Sequence, residues 1–234
     1  MKNERQKTNQ KEPSTMEDFV YQKLKNAIYK RYIRPNSQLV ENTIGEQMGV
    51  SRTPVRGAIK RLVYEGFVRL VPNKGAFVIQ PTAFEIKQAF DVRIILETMS
   101  AELACNNIKT GDVLNLKRLI QEEKKIFQKK DLNSYYSVND NFHLTIAKAS
   151  GNSILLQYVQ DIINRTNVYL ILFDPFYQRE INPSMNEHSR IVEALSSRDA
   201  GEAKKSMELH LNSALKGMRL EKTESNAPDD YLFL

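Results

Sequence analysis

The 234-residue chain carries 34 Lys and Arg against 28 Asp and Glu, a formal net charge of +6 with its 3 histidines neutral. That length suits two modest domains better than one large core. The single cysteine, Cys105, rules out an intrachain disulfide and points to a reducing compartment, and the longest apolar run, Val168 to Phe173, is too short to span a bilayer.

With no apolar stretch near Met1 to act as a secretory signal, the expectation is a cytoplasmic protein with no membrane partner. The charge is unevenly spread. Residues 1–80 hold 15 Lys and Arg against 7 Asp and Glu, a net of +8, and residues 81–234 hold 19 against 21, a net of −2. A basic excess confined to one third of the chain is the footprint of one domain that meets nucleic acid beside another that does not.

Residues 1–15 are polar, lysine- and glutamine-rich and without an apolar period, which predicts a mobile segment. Thr15 with Asp18 three residues on opens a helix over about 16–32. Pro35-Asn36-Ser37 breaks it. A short helix over 41–48 ends at Gly49, and Ser51 is expected to cap a third over 52–65. In that third helix Val55, Ala58, Ile59 and Leu62 share an inward face, while Arg52, Thr53, Arg56 and Lys60 share the opposite one. The β-branched and aromatic segments 67–71 and 76–80, separated by Pro72-Asn73-Lys74-Gly75, predict a hairpin.

Pro81-Thr82 marks a boundary. Beyond it the pattern is helical throughout, with helices expected over 83–105, 112–129, 132–149, 153–173, 184–197 and 199–221, followed by a tail over 223–234. The predicted fold is therefore mainly α: a winged helix-turn-helix over 16–80, then an all-helical bundle of about six helices over 81–222.

The helix beginning at Ser51 has the features of a DNA reader. Ser51, Arg52 and Thr53 stand in its first turn and Arg56 one turn on, where a recognition helix approaches base edges; Lys60 continues the basic face. Asn73, Lys74 and Gly75 at the hairpin tip extend the grip toward phosphate or a minor groove. The run Val50-Ser51-Arg52-Thr53-Pro54-Val55-Arg56, then Ala58-Ile59, Leu62, Glu65-Gly66 and Asn73-Lys74-Gly75-Ala76-Phe77-Val78, resembles the GntR family of bacterial regulators. One departure is Gly57, where that family usually carries Glu. It predicts lower helix stability, by roughly 1 kcal/mol relative to alanine, and the loss of a carboxylate beside the arginines.

The three histidines, His143, His188 and His210, all fall in the helical part. His143 follows Asn139 by one helical turn, so both project from one face. Imidazoles suit zinc, nickel and related ions, and three of them leave coordination positions open. The phrases Asp91-Val92-Arg93…Leu96-Glu97, Asn139…Phe142-His143…Ala149-Ser150-Gly151-Asn152, Glu187-His188…Ile191…Ala194-Leu195 and His210 resemble the FCD effector domain of that family's FadR branch. The resemblance implies a divalent transition metal, zinc or nickel, on Asn139, His143, His188 and His210. It further implies a small carboxylate effector near Arg93, a homodimer and a double-stranded operator. The geometry of one helix equally allows Arg93 to pair with Glu97 four residues on.

The function expected is thus a non-enzymatic DNA-binding repressor whose operator affinity is modulated by a carboxylate. Two alternatives stand beside it. One is the same regulator without metal, sensing a fatty acyl thioester. The other is a metal-dependent hydrolase, for which only Glu187, beside His188, offers a candidate base and no His-Glu-x-x-His segment occurs.

Overall fold

The computed structural model describes residues 15–219. The mobile segment expected over 1–15 and the tail expected over 223–234 lie, Thr15 apart, outside the described residues. The described residues divide into two compact units between Gln80 and Pro81.

The first unit runs α1 (Met16–Tyr29), β1 (Gln38–Leu39), α2 (Glu41–Met48), α3 (Arg52–Tyr64), β2 (Val68–Val71) and β3 (Gly75–Val78). The Thr15 hydroxyl accepts from the Asp18 amide at 3.0 Å and starts α1. The helix stops three residues before the predicted end because Arg31 turns left-handed, at φ 62°, and the Tyr32 amide reaches back to the Ala27 carbonyl at 2.8 Å. That closure satisfies a terminal carbonyl as a glycine cap would. Ser51 sits at the N-cap of α3, but its side chain makes no capping hydrogen bond, contrary to expectation.

The hairpin forms as predicted with tighter limits, Val68 facing Val78 and Val71 facing Gly75. A third strand was not foreseen: Gln38 and Leu39 pair with Phe77 and Ala76, giving the order β1-β3-β2. Leu24, Ile28, Ile44, Val55, Leu62 and Val78 are fully buried and form the core on which α3 rests.

Gly57 lies on the outer part of α3. A β-carbon there would fall 2.1 Å from Oε2 of Glu17, whose carboxylate leans over from α1. The site is therefore not stripped of negative charge, as the missing family Glu suggested; another helix supplies a carboxylate. Glu17 is flexible and 43% exposed, so it can swing aside. Gly57→Ala is expected to stabilise this unit by about 0.5–1 kcal/mol, the cost of glycine inside a helix. Urea unfolding would show it as a higher midpoint, and a lower midpoint would mean that Glu17 cannot yield.

The second unit contains α4 (Ala83–Asn107), α5 (Thr110–Gln128), α6 (Leu132–Ala149), α7 (Ser153–Phe173), a short 3-10 turn (Phe176–Gln178), α8 (Ser184–Ser197) and α9 (Ala200–Lys216). Four starts are set by side chains the sequence displays. Thr82 and Glu85 make a reciprocal capping box, and Asp131, Asn152 and Asp199 accept from amides of the following turn. Ala101, Ala104, Leu116, Phe142, Ile146, Ile191, Leu195, Met207 and Leu211 share one dry core. Cys105 is buried in it, as expected of a structural thiol. The packing carries α6, α8 and α9 past one another with their histidines turned inward.

Candidate metal centre and nucleic-acid interface

His143 on α6, His188 on α8 and His210 on α9 are buried and meet within the second unit. The Nε2 atoms of His188 and His210 lie 3.3 Å apart, and those of His210 and His143 lie 3.4 Å apart. A tetrahedral ion with Zn–N bonds of about 2.0–2.1 Å sets its nitrogens about 3.3–3.4 Å from one another. The spacing of the rings matches that edge.

Each ring's other nitrogen is held by a carboxylate. His143 Nδ1 bonds Glu97 of α4, His188 Nδ1 meets Glu123 of α5 at 2.9 Å, and His210 Nδ1 meets Glu187 of α8 at 2.8 Å. An ionised carboxylate can only accept, so each Nδ1 carries the proton and, in a neutral ring, Nε2 presents a lone pair. Burial pushes the ring pKa of His143 down and that of His210 down to about 3, so both are neutral. Burial opposes ionisation of Glu97 and Glu123 as well. The ring N–H donors facing them, with the Arg93 guanidinium at Glu97 and the Asn182 amide at Glu123, outweigh it and hold both carboxyls below their ordinary range.

Lone pairs turned toward one another repel unless a cation lies between them. Charge counting points the same way: Glu97, Glu123 and Glu187 bring three negative charges to the cluster and Arg93 returns one, a deficit of two that a divalent ion offsets. The donor set therefore fits a metal of the zinc class, with the carboxylates in the ring-orienting role that such sites use.

A ring-orienting role was assigned to none of the three carboxylates from sequence. Glu123 carries a legible signal, because Leu116, Leu119, Ile120, Glu123 and Phe127 form one inward stripe of α5 in which a charge is out of place. Glu187, the candidate base of a hydrolase, is occupied in orienting His210.

Asn139 lies one turn before His143 on the wall of a small cavity that it shares with Arg93, Tyr136, His143, Asp174, Arg179 and His210. Its amide also stabilises the neighbouring Asp140 carboxylate, which accepts from Asn167 Nδ2 at 2.7 Å and stands apart from the histidines. Arg93 is buried, with Nε on Glu97 at 2.6 Å and Nη1 on Thr166 at 3.0 Å. The pairing with Glu97 is thus real, and Arg93 lines the cavity as well. Two contacts leave part of a guanidinium's five N–H donors for another partner.

In the first unit Ser51, Arg52, Thr53, Arg56, Lys60, Asn73, Lys74 and Gly75 are all exposed. Arg52, Arg56 and Lys60 recur every fourth residue along α3. The hairpin tip depends on left-handed backbone at Asn73, φ 60°, and Gly75, φ 95°, and Gln38 Nε2 donates to the Lys74 carbonyl at 2.7 Å. One residue was missed here too. Glu41, at the start of α2, accepts from Arg56 Nε and Nη2 at 3.1 and 3.0 Å and lies 3.6 Å from Arg52. The Arg56 guanidinium lowers the Glu41 carboxyl pKa against a small opposing effect of burial. Glu41 therefore fixes the Arg56 guanidinium and draws Arg52 toward the same carboxylate, which aligns the two side chains.

Comparison with known proteins follows the same division. Residues 16–78 match the model of bacterial regulatory proteins of the gntR family, and residues 88–213 match the FCD domain. The Uxu operon regulator of Haemophilus influenzae is 29% identical over 212 residues, covering 82% of this chain and 78% of that protein. The HTH-type transcriptional repressor RspR of Escherichia coli is 22% identical over 208 residues, covering 88% and 90%. Among solved structures, McbR/YncC of E. coli superposes with a TM-score of 0.61 at 23% identity, covering 86% of this chain and 96% of that one. A GntR regulator from Rhodococcus sp. RHA1 gives 0.64 at 21%, covering 86% and 95%. At those identities the two structures share the fold.

Proposed function

The chain belongs to the gntR family of bacterial regulatory proteins and carries the FCD domain, so that it is a DNA-binding transcription regulator; from that premise we propose that it is a homodimeric repressor whose helical unit holds a divalent metal and senses a small carboxylate. The convergence of three carboxylate-oriented histidines on one point carries the reading. His143, His188 and His210, with Asn139 as oxygen donor, would hold the ion, zinc or nickel. Once bound, the metal supplies an electrophilic centre for an anionic oxygen.

The chain's own residues do the rest. Glu97, Glu123 and Glu187 fix the rings, and Arg93 offers a guanidinium edge to the same cavity. Asn139 donates an oxygen without adding negative charge, which favours an anionic guest over water.

Regulation requires the acid to bind the DNA-incompetent arrangement more tightly than the competent one. Titrating carboxylic acids into the metal-loaded protein on a duplex selected from random sequence tests this. A shift in duplex affinity is expected with at least one acid, and constant affinity across sugar acids, hydroxy acids and dicarboxylates would sink the switch. Repression as the direction finds support in the name of the E. coli relative.

Dimerisation has support in an apolar stripe on α4. Val92, Ile95 and Met99 recur at helical spacing and are exposed, Ile95 at 66%. A second copy covering that stripe suits a two-fold operator read by paired recognition helices. Ile95→Glu is expected to shift the protein to monomer in sedimentation; an unaltered dimer would place the interface elsewhere.

A further inference from the structure

The DNA-reading face of the first unit holds an apolar groove that phosphate and base contacts do not account for. Leu39, Ala76 and Leu70 pair in one row across β1, β3 and β2, so their side chains share the core-facing side of the sheet. Leu39 and Ala76 are buried. Leu70, on the outer strand where the core ends, is 63% exposed, and Val40, next to Leu39, is 37% exposed. All four line one open groove whose other margin is α3, with Arg52, Arg56 and Lys60 along it. Against those three cations the lining sets only Glu41, a net of +2. Phosphates match such a margin but not an aliphatic floor, and exposed apolar groups rimmed by polar ones mark a contact with protein.

The chain itself contains a segment of matching chemistry beyond the described residues. Residues 220–234 hold Glu221, Glu224, Asp229 and Asp230 against Lys222, a net of −3. Asp229 and Asp230 run directly into Tyr231, Leu232, Phe233 and Leu234. An acidic pair beside an apolar run is complementary to a cationic margin beside an apolar floor.

We propose that residues 229–234 dock in this groove, the two aspartates against Arg52 and Lys60 and the apolar run over Val40 and Leu70, and so cover the recognition helix until a duplex displaces them. The contact is autoinhibitory, because the aspartates and the phosphates compete for the same cations. It acts on the DNA-binding activity alone and stands independently of any metal or effector. A six-residue segment binds weakly when free, but a tether supplies it at an effective concentration of about millimolar.

Fluorescence anisotropy on a duplex selected from random sequence tests the proposal. If the segment fills the groove about nine parts in ten, the competent fraction is about one tenth, and removing residues 226–234 is expected to raise affinity about tenfold. Leu232→Ser with Phe233→Ser, which keeps every charge, should give most of the same gain. In Leu70→Ser the removal should gain less than about twofold, because the two changes then delete one contact. A photoreactive phenylalanine analogue in place of Tyr231 should cross-link to residues 38–42 or 68–76. No gain on removal overturns the proposal. A gain that Leu232→Ser with Phe233→Ser does not reproduce overturns it too, since repulsion between the acidic residues and the duplex would then suffice. Cross-links confined to the helical unit overturn the assigned groove.

Discussion

Replacing Arg52 and Arg56 together by alanine is expected to lower affinity for a duplex selected by the wild-type protein by about thirtyfold to twenty-thousandfold, since each bidentate base contact is worth about 1–3 kcal/mol. The two side chains are exposed on the first turns of α3, and Glu41 holds them in register from α2. Fluorescence anisotropy on the selected duplex and on a scrambled one separates the contributions. Base reading predicts a much larger loss on the selected duplex. Equal losses on both would reduce the arginines to phosphate contacts. Lys74→Ala, at the hairpin tip, should weaken both duplexes alike and flatten the salt dependence by about one unit of slope, the signature of a phosphate contact.

Chelation is expected to lower the melting temperature of the helical unit by about 5–10 °C, reversibly on adding zinc. An ion held at a hundred times its Kd contributes about 2.7 kcal/mol, and a unit of this size shifts by a few degrees per kcal/mol. His143→Ala should abolish that response, and elemental analysis should then find no metal where the wild-type protein is expected to carry one equivalent. The control is needed because the substitution also strips Glu97 of its ring partner and destabilises the core in its own right. Glu123→Gln preserves an acceptor for the His188 N–H and loses only the charge, so metal affinity should fall by about 10–100-fold with the fold intact. Full metal content in His143→Ala would show that the three rings do not share an ion.

Most of the fold was readable from local chemistry. Thr15, Thr82, Asp131, Asn152 and Asp199 announce helix starts because a short polar side chain satisfies amides that the helix leaves open. Gly49 ends α2 with the positive φ that glycine adopts freely. Arg31 ends α1 by the same geometry without glycine's freedom, and nothing in its residue type signals that. A two-residue strand such as β1 has no period to detect; it exists because β3 offers a free edge to Gln38 and Leu39.

The amino-acid order by itself determined the two-part design, the basic face of α3 and the inward phase of each histidine, because helical period, caps and charge spacing are properties of one segment at a time. Only the tertiary structure decided that three Nε2 atoms come within 3.3–3.4 Å along two edges and that Glu97, Glu123 and Glu187 each hold a ring. Those facts depend on how far apart and at what rotation helices pack. That is set by the interlocking of many side chains from different segments and has no local signature.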